Sequence, residues 1–599
     1  MMNPLHYQLT LHDYRSHRFA ITLIIEQPDP VGQLLRLPKW IPGSYMIRDF
    51  SKHIINVRAT TFDGEALKVS VVDPSHWQVA PHHGSIKVHY EVYAWDLSVR
   101  GAHYDQQHAF LNGTSCFLEV VGQSQQPQTL DLLADEWAQH QAWSVATTLP
   151  ALAVNQQGFG RYQAANYAEL IDHPIEMAKF AELRFEAGGI EHRMVLTGVH
   201  DADLDRIAAD LAPICAAQLA FFGQPAPFER YIFMVMVTGN GYGGLEHRSS
   251  TALMCSRDSL PYQGMGEPSD KYQQFLELCS HEYFHSWNVK RIQPARLQQS
   301  DLQSPATTQL LWWFEGATSY YDLLFLYRAG TIDHPTYLNK LAEQLTRVYR
   351  MPGRFQQSLA DASKQAWTKF YQQDENAPNA IISYYTKGAL AVIALDLTLR
   401  IRTKGQKNLD DLMRLLWQDY GITEQGLTEH TIEQLASQLA GSDLNEFFNQ
   451  ALYATEDLPL EQLFAQVGVN FSLRPPYASQ DLGGPHDKAT EAGTKPYLNL
   501  GANLVNSTNN SVKLTHVWHE RPAHRAGLSG GDEIIALDGI RMNNASQLEA
   551  YLQRRPVGDR LTCHYFRRDE LGQTEITLDI PPADRVVLSP TTPCNWPEK

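Results

Sequence analysis

The chain has 599 residues, of which 43% are hydrophobic and 19% are charged, and its formal net charge is −17. This length predicts three or four folded domains, because a single hydrophobic core rarely extends beyond about 250 to 300 residues. The excess of acidic side chains argues against a nucleic-acid-binding surface and against attachment to an anionic membrane.

The start of the chain and its cysteines indicate the compartment. The first residues lack the basic and apolar segments of a secretion signal, and no apolar run of about 18 residues follows. The six cysteines are scattered without a CxxC pair, which favours buried free thiols over a disulfide framework or a thiolate metal site. We therefore expect a cytoplasmic protein with no membrane partner.

The order of the predicted elements indicates a multidomain α+β protein. Residues 1–175 predict an N-terminal all-β domain, because short alternating runs such as 19–25 and 86–92 are separated by Gly, Pro and Asp turns. Helical periodicity then begins at 201–222, and a buried strand at 231–237 leads into a glycine-rich turn. Long apolar helical faces follow between 271 and 452, so residues 176–470 predict a mainly α catalytic domain.

The last part of the chain predicts a further small domain. Residues 471–496 are rich in Pro, Gly, Ser and charged residues and predict a linker or an irregular edge. Strand-like runs resume around 512–518 and 560–566, with a helix between them, so residues 497–585 predict a separate domain. Residues 586–599 are then a C-terminal tail.

The sequence His281-Glu282-Tyr283-Phe284-His285 is an HExxH motif inside a predicted helix. Residues four apart share a helical face, so both imidazoles can bind one cation while Glu282 lies beside them. Zinc accepts imidazole nitrogen and carboxylate oxygen, and a catalytic zinc site keeps one position for water. Glu282 is then the predicted base that takes a proton from this water.

Glu315 is the predicted third ligand. It lies in the strongly apolar stretch 312–321, where an unpaired carboxylate would be costly to bury. The alternative is a structural Glu paired at a helix turn, but few other acids lie nearby. Ser319 and Asp322 follow on the same helix, and either side chain can orient a ligand histidine.

An HExxH motif followed by a distant Glu on a second helix resembles the gluzincins, and the details resemble metallopeptidase family sixty-one, the glycyl aminopeptidases. The resemblance covers nearly the entire chain and includes residues 40–50 and 93–100, which by themselves read as a turn and an edge strand. It implies an N-terminal β domain, a thermolysin-like catalytic domain and a C-terminal PDZ-like domain. Glu315 follows His285 by 30 residues, more than in the similar aminopeptidase N family, which predicts an inserted loop over 293–308.

The glycine-rich segment 241–247 resembles a substrate-binding strand of related aminopeptidases. The resemblance implies that Gly243 and Gly244 pair with the substrate backbone and that Glu246 binds its free α-amino group. Glycine permits such an approach, and a carboxylate is a suitable partner for an ammonium group. The alternative is an ordinary glycine-rich hairpin with a solvated Glu.

Tyr385, at the start of a long predicted helix, resembles the tyrosine that donates a hydrogen bond to the developing oxyanion in related enzymes. An un-ionised phenol can fill this role near neutral pH. The neighbouring Tyr384 is an equal candidate, because the sequence does not decide which ring faces the site. Ordinary aromatic packing at a helix start is the structural alternative for both.

Residues 521–539 are similar to part of a PDZ domain, with a Gly-Asp turn into an apolar strand and an Asp-Gly hairpin after it. Such domains bind an extended carboxyl terminus as an added strand, and residues 500–503 are the candidate loop for the carboxylate. This loop departs from the usual pattern. A peptide-binding domain and a purely structural one therefore both remain open.

Together these features predict a zinc aminopeptidase with one zinc ion per chain, acting on peptides with a free amino end. A preference for Gly or Ala at that end is implied only by the resemblance. An endopeptidase with the same site is the nearest alternative. A PDZ scaffold with a vestigial metal site is the alternative from another class, and the intact Glu282 argues against it.

Overall fold

The computed structural model of the chain describes residues 4–485, 496–594 and 596–598. The fold divides into two compact units, one made of residues 1–306 and 414–427 and the other of residues 307–413 and 428–599. Throughout the described ranges, no helix has both the length and the apolar character that crossing a membrane requires.

The first unit opens with a domain of short strands joined by tight turns. Buried and half-buried side chains alternate along its longer strands, as expected for sheets with one face on the core. Two short helices, α1 (Glu136–His140) and α2 (Tyr167–Ile171), interrupt the strands. The strands are β1 (Leu5–Asp13), β2 (Arg18–Ile25), β3 (Leu34–Arg36), β4 (Ile54–Thr61), β5 (Ala66–Leu67), β6 (Val69–Asp73), β7 (His76–Val79), β8 (Ile86–Tyr93), β9 (Ala102–Tyr104), β10 (His108–Leu111), β11 (Glu119–Val120), β12 (Gln128–Leu133), β13 (Ser144–Ala146), β14 (Ala151–Val154), β15 (Gly160–Ala164) and β16 (Ile175–Ala178).

An 8-stranded sheet in the order β14-β15-β12-β1-β2-β8-β4-β5 forms most of this domain. Its strands pair antiparallel except for β1 and β12, which run parallel. Two 4-stranded sheets, β13-β16-β10-β9 and β11-β3-β7-β6, complete it. The predicted all-β N-terminal domain is therefore confirmed.

A further sheet in the first unit, with five strands, supports the candidate site. Its order is β17-β18-β19-β21-β20, and β19 is buried along nearly its whole length. The helix predicted at 201–222 begins at Leu204, because the Asp203 side chain accepts a hydrogen bond from the Arg206 amide and caps the helix. The elements are β17 (Ala181–Ala187), β18 (Ile190–Thr197), α3 (Leu204–Phe222), β19 (Arg230–Thr238), β20 (Gly243–Glu246), β21 (Ser250–Ser256), α4 (Asp270–Phe284) and α5 (Ala295–Gln298).

The second unit begins with helices arranged around one central helix, α11, which is buried along almost its whole length. A helix that is buried on all sides needs apolar residues around its entire circumference, and the run from Ala389 to Leu395 supplies them. The elements are α6 (Leu311–Phe314), α7 (Gly316–Arg328), α8 (His334–Tyr349), α9 (Leu359–Lys364), α10 (Ala377–Ala380), α11 (Thr386–Arg402), α12 (Leu409–Leu416), α13 (Thr431–Ala440), α14 (Asn445–Phe448), α15 (Leu460–Ala465) and β22 (Val469–Arg474).

A PDZ-like domain follows in the same unit, with a 5-stranded path β23-β24-β25-β27-β28 and the short β26 paired with β25. Its own apolar core includes Leu500, Leu514, Ile534, Leu548 and Leu561. Strand β23 is at the edge of the sheet. The elements are β23 (Ala502–Asn506), β24 (Val512–Val517), α16 (Pro522–Arg525), β25 (Glu533–Leu537), β26 (Ile540–Arg541), α17 (Ala545–Leu552), β27 (Arg560–Arg567) and β28 (Glu570–Thr577).

The segment predicted as a linker, 471–496, begins inside a strand. Strand β22 pairs antiparallel with β29 (Arg585–Pro590), which comes from the end of the PDZ-like domain and the predicted tail. The Pro and Gly content that predicted a linker applies to the residues after Arg474, of which 486–495 lie outside the described residues. The predicted multidomain α+β class, with an N-terminal β domain, a mainly helical part and a further small domain after it, is confirmed.

Candidate metal centre

The two histidines of the HExxH motif lie at the end of helix α4. The helix starts at Asp270 with the Ser269 side chain as its cap, and His285 follows its last residue. The Nε2 atoms of His281 and His285 are 3.1 Å apart. Two nitrogens that each lie about 2.0 to 2.1 Å from one tetrahedral zinc ion are separated by roughly 3.3 Å, so this pair fits a zinc ion.

A backbone carbonyl fixes the orientation of His285. Its Nδ1–H donates a hydrogen bond of 2.7 Å to the Asn288 carbonyl oxygen. With the proton on Nδ1, the Nε2 lone pair is available to a metal. Ser319 and Asp322 were the predicted orienting residues; the Asn288 carbonyl has no signal in the sequence, because only the turn after α4 brings it back to the ring.

Glu282, the predicted base, is 5% exposed and lies beneath strand β20. A β-carbon on Gly244 would lie within 2.6 Å of the Glu282 side chain, so the end of that side chain would have to move. Ligand-type atoms of Glu246, Glu282 and His285 lie within 4.8 Å of one another. Gly244 is therefore small because the base occupies the space beside it.

Glu246 is a buried carboxylate, 4% exposed, whose Oε1 accepts no hydrogen bond from any described residue. Gly43 lies against it: a β-carbon there would be 2.6 Å from the Glu246 carboxyl carbon. Gly43 also has a φ of 91°, which favours glycine. A buried carboxylate without a donor partner is costly, so this position favours binding of a cation.

Two N-terminal segments contribute to this site, although neither was predicted to do so. Gly43 belongs to the segment 40–50, and Arg100, at the end of the segment 93–100, donates a hydrogen bond of 3.4 Å to the Gly244 carbonyl. By themselves both segments read as structural turns and strands. In the sequence these segments offer only an isolated Arg and a Gly after Pro, and neither residue type indicates which distant residue it contacts.

Glu315, in the second unit, lies at the junction of α6 and α7 and is 2% exposed. The backbones of α7 and α11 approach closely beside it, because a β-carbon on Gly316 would be 2.5 Å from the Gly388 carbonyl carbon. This contact brings the start of α11 near the carboxylate of Glu315.

Tyr385 is the residue at the start of α11, and its ring is half-buried, whereas Tyr384 is fully buried. The two rings stack with centroids 4.8 Å apart, and both pack on Phe370. Burial, and then the negative charge of Glu315, raise the pKa of the Tyr385 phenol well above its usual value. Tyr385 therefore keeps its proton and can donate a hydrogen bond.

A second group of metal-type ligands, His103, Asp105 and His108, lies in the N-terminal domain. His103 bonds Asp105 at 3.2 Å, and His108 bonds Glu176 at 3.0 Å. The two imidazole rings are stacked 4.8 Å apart, so their in-plane lone pairs do not converge well on one ion. Ion pairing accounts for this group without a metal.

Three family models match the chain. The Peptidase M61 N-terminal domain matches residues 6–179, the M61 glycyl aminopeptidase domain matches residues 274–391, and a PDZ domain matches residues 499–578. No curated protein matches the chain.

Solved structures also resemble the chain. An aminopeptidase N family protein from Idiomarina loihiensis is 43% identical, with 98% of each chain covered and a TM-score of 0.94. An M1 zinc metallopeptidase from Deinococcus radiodurans is 14% identical, with 76% of this chain and 95% of that chain covered and a TM-score of 0.49. Yeast LTA4 hydrolase is 12% identical, with 76% and 68% covered and a TM-score of 0.46.

Proposed function

Because the chain belongs to the M61 glycyl aminopeptidase family of metallopeptidases, we propose that it removes the N-terminal residue from peptides by zinc-dependent hydrolysis. The observation that carries this proposal is the pair of histidine Nε2 atoms 3.1 Å apart, beside the buried carboxylate of Glu282. Two convergent imidazoles with an adjacent acid are the arrangement that metal-activated hydrolysis of an amide requires.

His281, His285 and Glu315 are the proposed ligands of a single zinc ion. The histidine pair has the spacing of two zinc ligands, and the bond from His285 to the Asn288 carbonyl leaves its Nε2 free to bind. Burial of the Glu315 carboxylate at an apolar helix junction supports its role as the anionic ligand. When bound, the ion would polarise the scissile carbonyl and lower the pKa of the attacking water.

Side chains of the protein carry out the proton transfers and the substrate binding of the proposed reaction. Glu282 takes a proton from the attacking water and returns it to the leaving amine. Tyr385 donates a hydrogen bond from its phenol to the oxyanion, and the raised pKa of the phenol supports this role. Glu246 binds the α-ammonium group of the substrate, because its buried carboxylate has an oxygen that no described donor satisfies. Gly243 and Gly244 leave room for the substrate backbone along β20.

We also propose a preference for Gly or Ala at the amino end, and its support is the match to the glycyl aminopeptidase family. A cytoplasmic location is likewise proposed. Its support is that all six cysteines are free thiols, as in a reducing compartment.

Hydrolysis of Gly and Ala arylamides by the purified protein tests the proposal. We expect activity that a chelator removes and added zinc restores, with one zinc ion bound per chain. Glu282→Gln should lower kcat/KM by about 10² to 10⁴-fold, because it removes the general base, without loss of bound zinc. The matched control Glu267→Gln, at an exposed loop position, should keep full activity. Activity that survives both chelation and Glu282→Gln would falsify the mechanism.

The endopeptidase alternative differs in how the amino end is treated. The same peptide with a free and with an acetylated amino terminus separates the two, since only an aminopeptidase needs the charged group for Glu246. Efficient cleavage of the acetylated peptide at an internal bond would assign the site to an endopeptidase.

A further inference from the structure

Arg100, in the first unit, has a half-buried cationic side chain that the reaction described above does not use. Its Nη2–H donates a hydrogen bond of 3.4 Å to the Gly244 carbonyl, and its Nε–H is buried without an acceptor among the described residues. Within the same ranges, no carboxylate lies at ion-pair distance from the guanidinium. A partly buried cation without an anionic partner is unfavourable, so an anionic ligand would stabilise it.

The backbone on both sides of Arg100 is held in place. Asn112, which is fully buried, donates from its side chain to the Val99 carbonyl at 2.7 Å and from its backbone amide to the Gly101 carbonyl at 3.1 Å. The Ser98 hydroxyl oxygen accepts from the Arg100 amide at 3.2 Å. A side chain that starts from a fixed turn loses less conformational entropy when it binds a ligand.

The Gly244 carbonyl faces the open edge of the sheet. Strand β20 is the last strand in its sheet and pairs only with β21 among the described strands. The Leu245 carbonyl is directed toward β21, where it accepts from the Thr251 hydroxyl at 3.0 Å. Successive carbonyls of a strand alternate between its two edges, so the Gly244 carbonyl is directed away from β21. Arg100 therefore contacts β20 at the edge that an added strand would use.

Strand β20 also relates Arg100 to the proposed amino-end site. Gly244 and Glu246 are two residues apart in this strand, so both positions face the same side, and both lie beside Glu282. Two residues of a strand span about 7 Å. A carboxylate and a guanidinium are thus placed about two residues apart along one strand. This arrangement matches a ligand that carries a positive charge at one end and a negative charge at the other.

A substrate along β20 has room for two residues between these groups. In the proposed function its α-ammonium group lies at Glu246 and its backbone runs toward Gly244. An extended chain advances about 3.3 to 3.6 Å per residue, so the carboxylate of a dipeptide reaches the level of Gly244, beside Arg100. A guanidinium binds a carboxylate through two parallel hydrogen bonds, and the unpaired Nε–H is available for one of them.

The position of Arg100 limits the length of the ligand. An added strand would lie about 4.8 Å from β20, whereas Nη2 of Arg100 is 3.4 Å from the Gly244 carbonyl oxygen. The guanidinium therefore occupies part of the space of an added strand at this level. A peptide that continued past Gly244 along this edge would have to displace it, whereas a dipeptide ends on it.

We infer that the substrates are dipeptides, with Arg100 binding their C-terminal carboxylate while Glu246 binds their amino end. This inference rests on the proposed function and adds its substrate class and a residue that selects it. Recognition of both charges selects by length, because a longer peptide places an uncharged peptide bond at Arg100. Arylamides, which have no carboxylate, are then cleaved without a contribution from Arg100.

The test compares Gly-Leu, its C-terminal amide and Gly arylamide as substrates of the full-length protein. The native protein should cleave Gly-Leu with a kcat/KM at least about tenfold above that of the amide, as expected for hydrogen bonds between charged groups. Arg100→Gln should lower kcat/KM for Gly-Leu about 10- to 100-fold, mainly through KM, and should change the other two substrates less than about twofold. Arg100→Lys keeps the charge and should retain part of the preference. Arg58→Gln, at an exposed strand position of the same domain, is the matched control and should behave as the native protein does.

Binding is measured separately in the Glu282→Gln protein, in which cleavage is slow. Isothermal titration calorimetry should show that Gly-Leu binds at least about tenfold more tightly than its amide, and that the additional Arg100→Gln change removes this difference.

Three results would overturn the inference. Cleavage of the arylamide together with equal kcat/KM for Gly-Leu and its amide would reject it and leave the proposed function standing. An equal loss on all three substrates in Arg100→Gln would mean that Arg100 only supports β20. If no substrate is hydrolysed by the native protein, the proposed function and this inference fail together.

Discussion

At the scale of single residues, the first unit concentrates negative charge in a buried place. Glu246 and Glu282 are both nearly inaccessible, and their oxygens lie within 4.8 Å of each other and of His285. Burying two carboxylates so close together is unfavourable unless cations neutralise them. A metal ion and a substrate ammonium are the two cations that the proposed reaction brings to this site.

Glu246→Gln tests the recognition of the amino end. The amide keeps the size of the side chain and removes its charge, so a charge-assisted hydrogen bond worth about 1.5 to 3 kcal/mol is lost. We expect kcat/KM for a free-amino substrate to fall about 10- to 100-fold, with bound zinc unchanged. Steady-state kinetics and metal analysis measure both. If Glu246→Gln leaves the ratio of kcat/KM between the free-amino and the acetylated substrate unchanged, Glu246 does not bind the amino group.

Tyr385→Phe tests the oxyanion donor, with Tyr384→Phe as its matched control. Removal of one such donor costs about 10² to 10³-fold in kcat, with little change in KM. Tyr384 is fully buried, so its variant should keep most of the activity. The opposite result, with Tyr384→Phe the inactive variant, would exchange their roles.

The pH dependence follows from the same residue. The raised pKa of Tyr385 means that the phenol is still protonated at pH 10, the usual midpoint of tyrosine ionisation. Loss of kcat as the pH rises toward 10 should therefore not come from this group, and the alkaline limb of the native profile should persist in Tyr385→Phe. An alkaline limb that disappears in the variant would assign that limb to Tyr385.

At the scale of elements, glycines set the distances between backbones at the site. Strand β20 crosses α4 at Gly244, directly over Glu282, and α7 crosses α11 at Gly316 and Gly388. In both crossings, a β-carbon would occupy the position of atoms that already belong to the neighbouring element. Close approach of elements therefore depends on residues without side chains, and it positions Glu282 and, separately, Glu315.

Gly244→Ala tests the crossing of β20 and α4. The backbone at Gly244 suits alanine, so the strand should form, but the new methyl group must displace the end of the Glu282 side chain. A displacement of about 1 Å at a catalytic group costs roughly 10²-fold in rate. We expect such a loss in kcat with a nearly unchanged melting temperature. The control is Gly239→Ala, whose nearest atom would be 3.8 Å away, and it should remain active.

At the scale of the whole molecule, one side chain links the PDZ-like domain to the helices of its unit. The amide of Asn379 in α10 donates to the Val517 carbonyl at 2.8 Å and accepts from the His519 amide at 2.9 Å. The Asn379 side chain thereby provides hydrogen-bond partners for backbone groups at and just after the end of β24, as a neighbouring strand would. The pairing of β22 with β29 ties the same domain at its other end.

Asn379→Ala should loosen this attachment. It leaves the buried Val517 carbonyl without this partner, at a cost of about 1 to 3 kcal/mol, and it also removes the bond to the His519 amide. We expect a lower midpoint in urea unfolding followed by tryptophan fluorescence, with Asn470→Ala, at an exposed strand position, as the control. Identical midpoints for the two variants would mean that Asn379 does not hold the domain in place.

The sequence by itself determined what lies within a single element. The HExxH spacing puts His281 and His285 on one face of α4 because helical geometry repeats over four residues, and the alternating runs predicted the β domain because strands repeat over two. The features that indicated a PDZ-like domain were turns, which likewise depend only on residues close together in the chain. The roles predicted for Glu282, Glu315, Glu246 and Tyr385 stay predictions.

Only the tertiary structure decided which distant segments meet. Gly43 lies on Glu246 across about 200 residues of chain, the Asn288 carbonyl holds His285, and Arg350 faces the loop of the PDZ-like domain. No local periodicity encodes such contacts, because they depend on how whole sheets and helices pack. The physical reason is that local backbone geometry fixes the direction of a side chain within its element, whereas long-range packing fixes what that side chain touches.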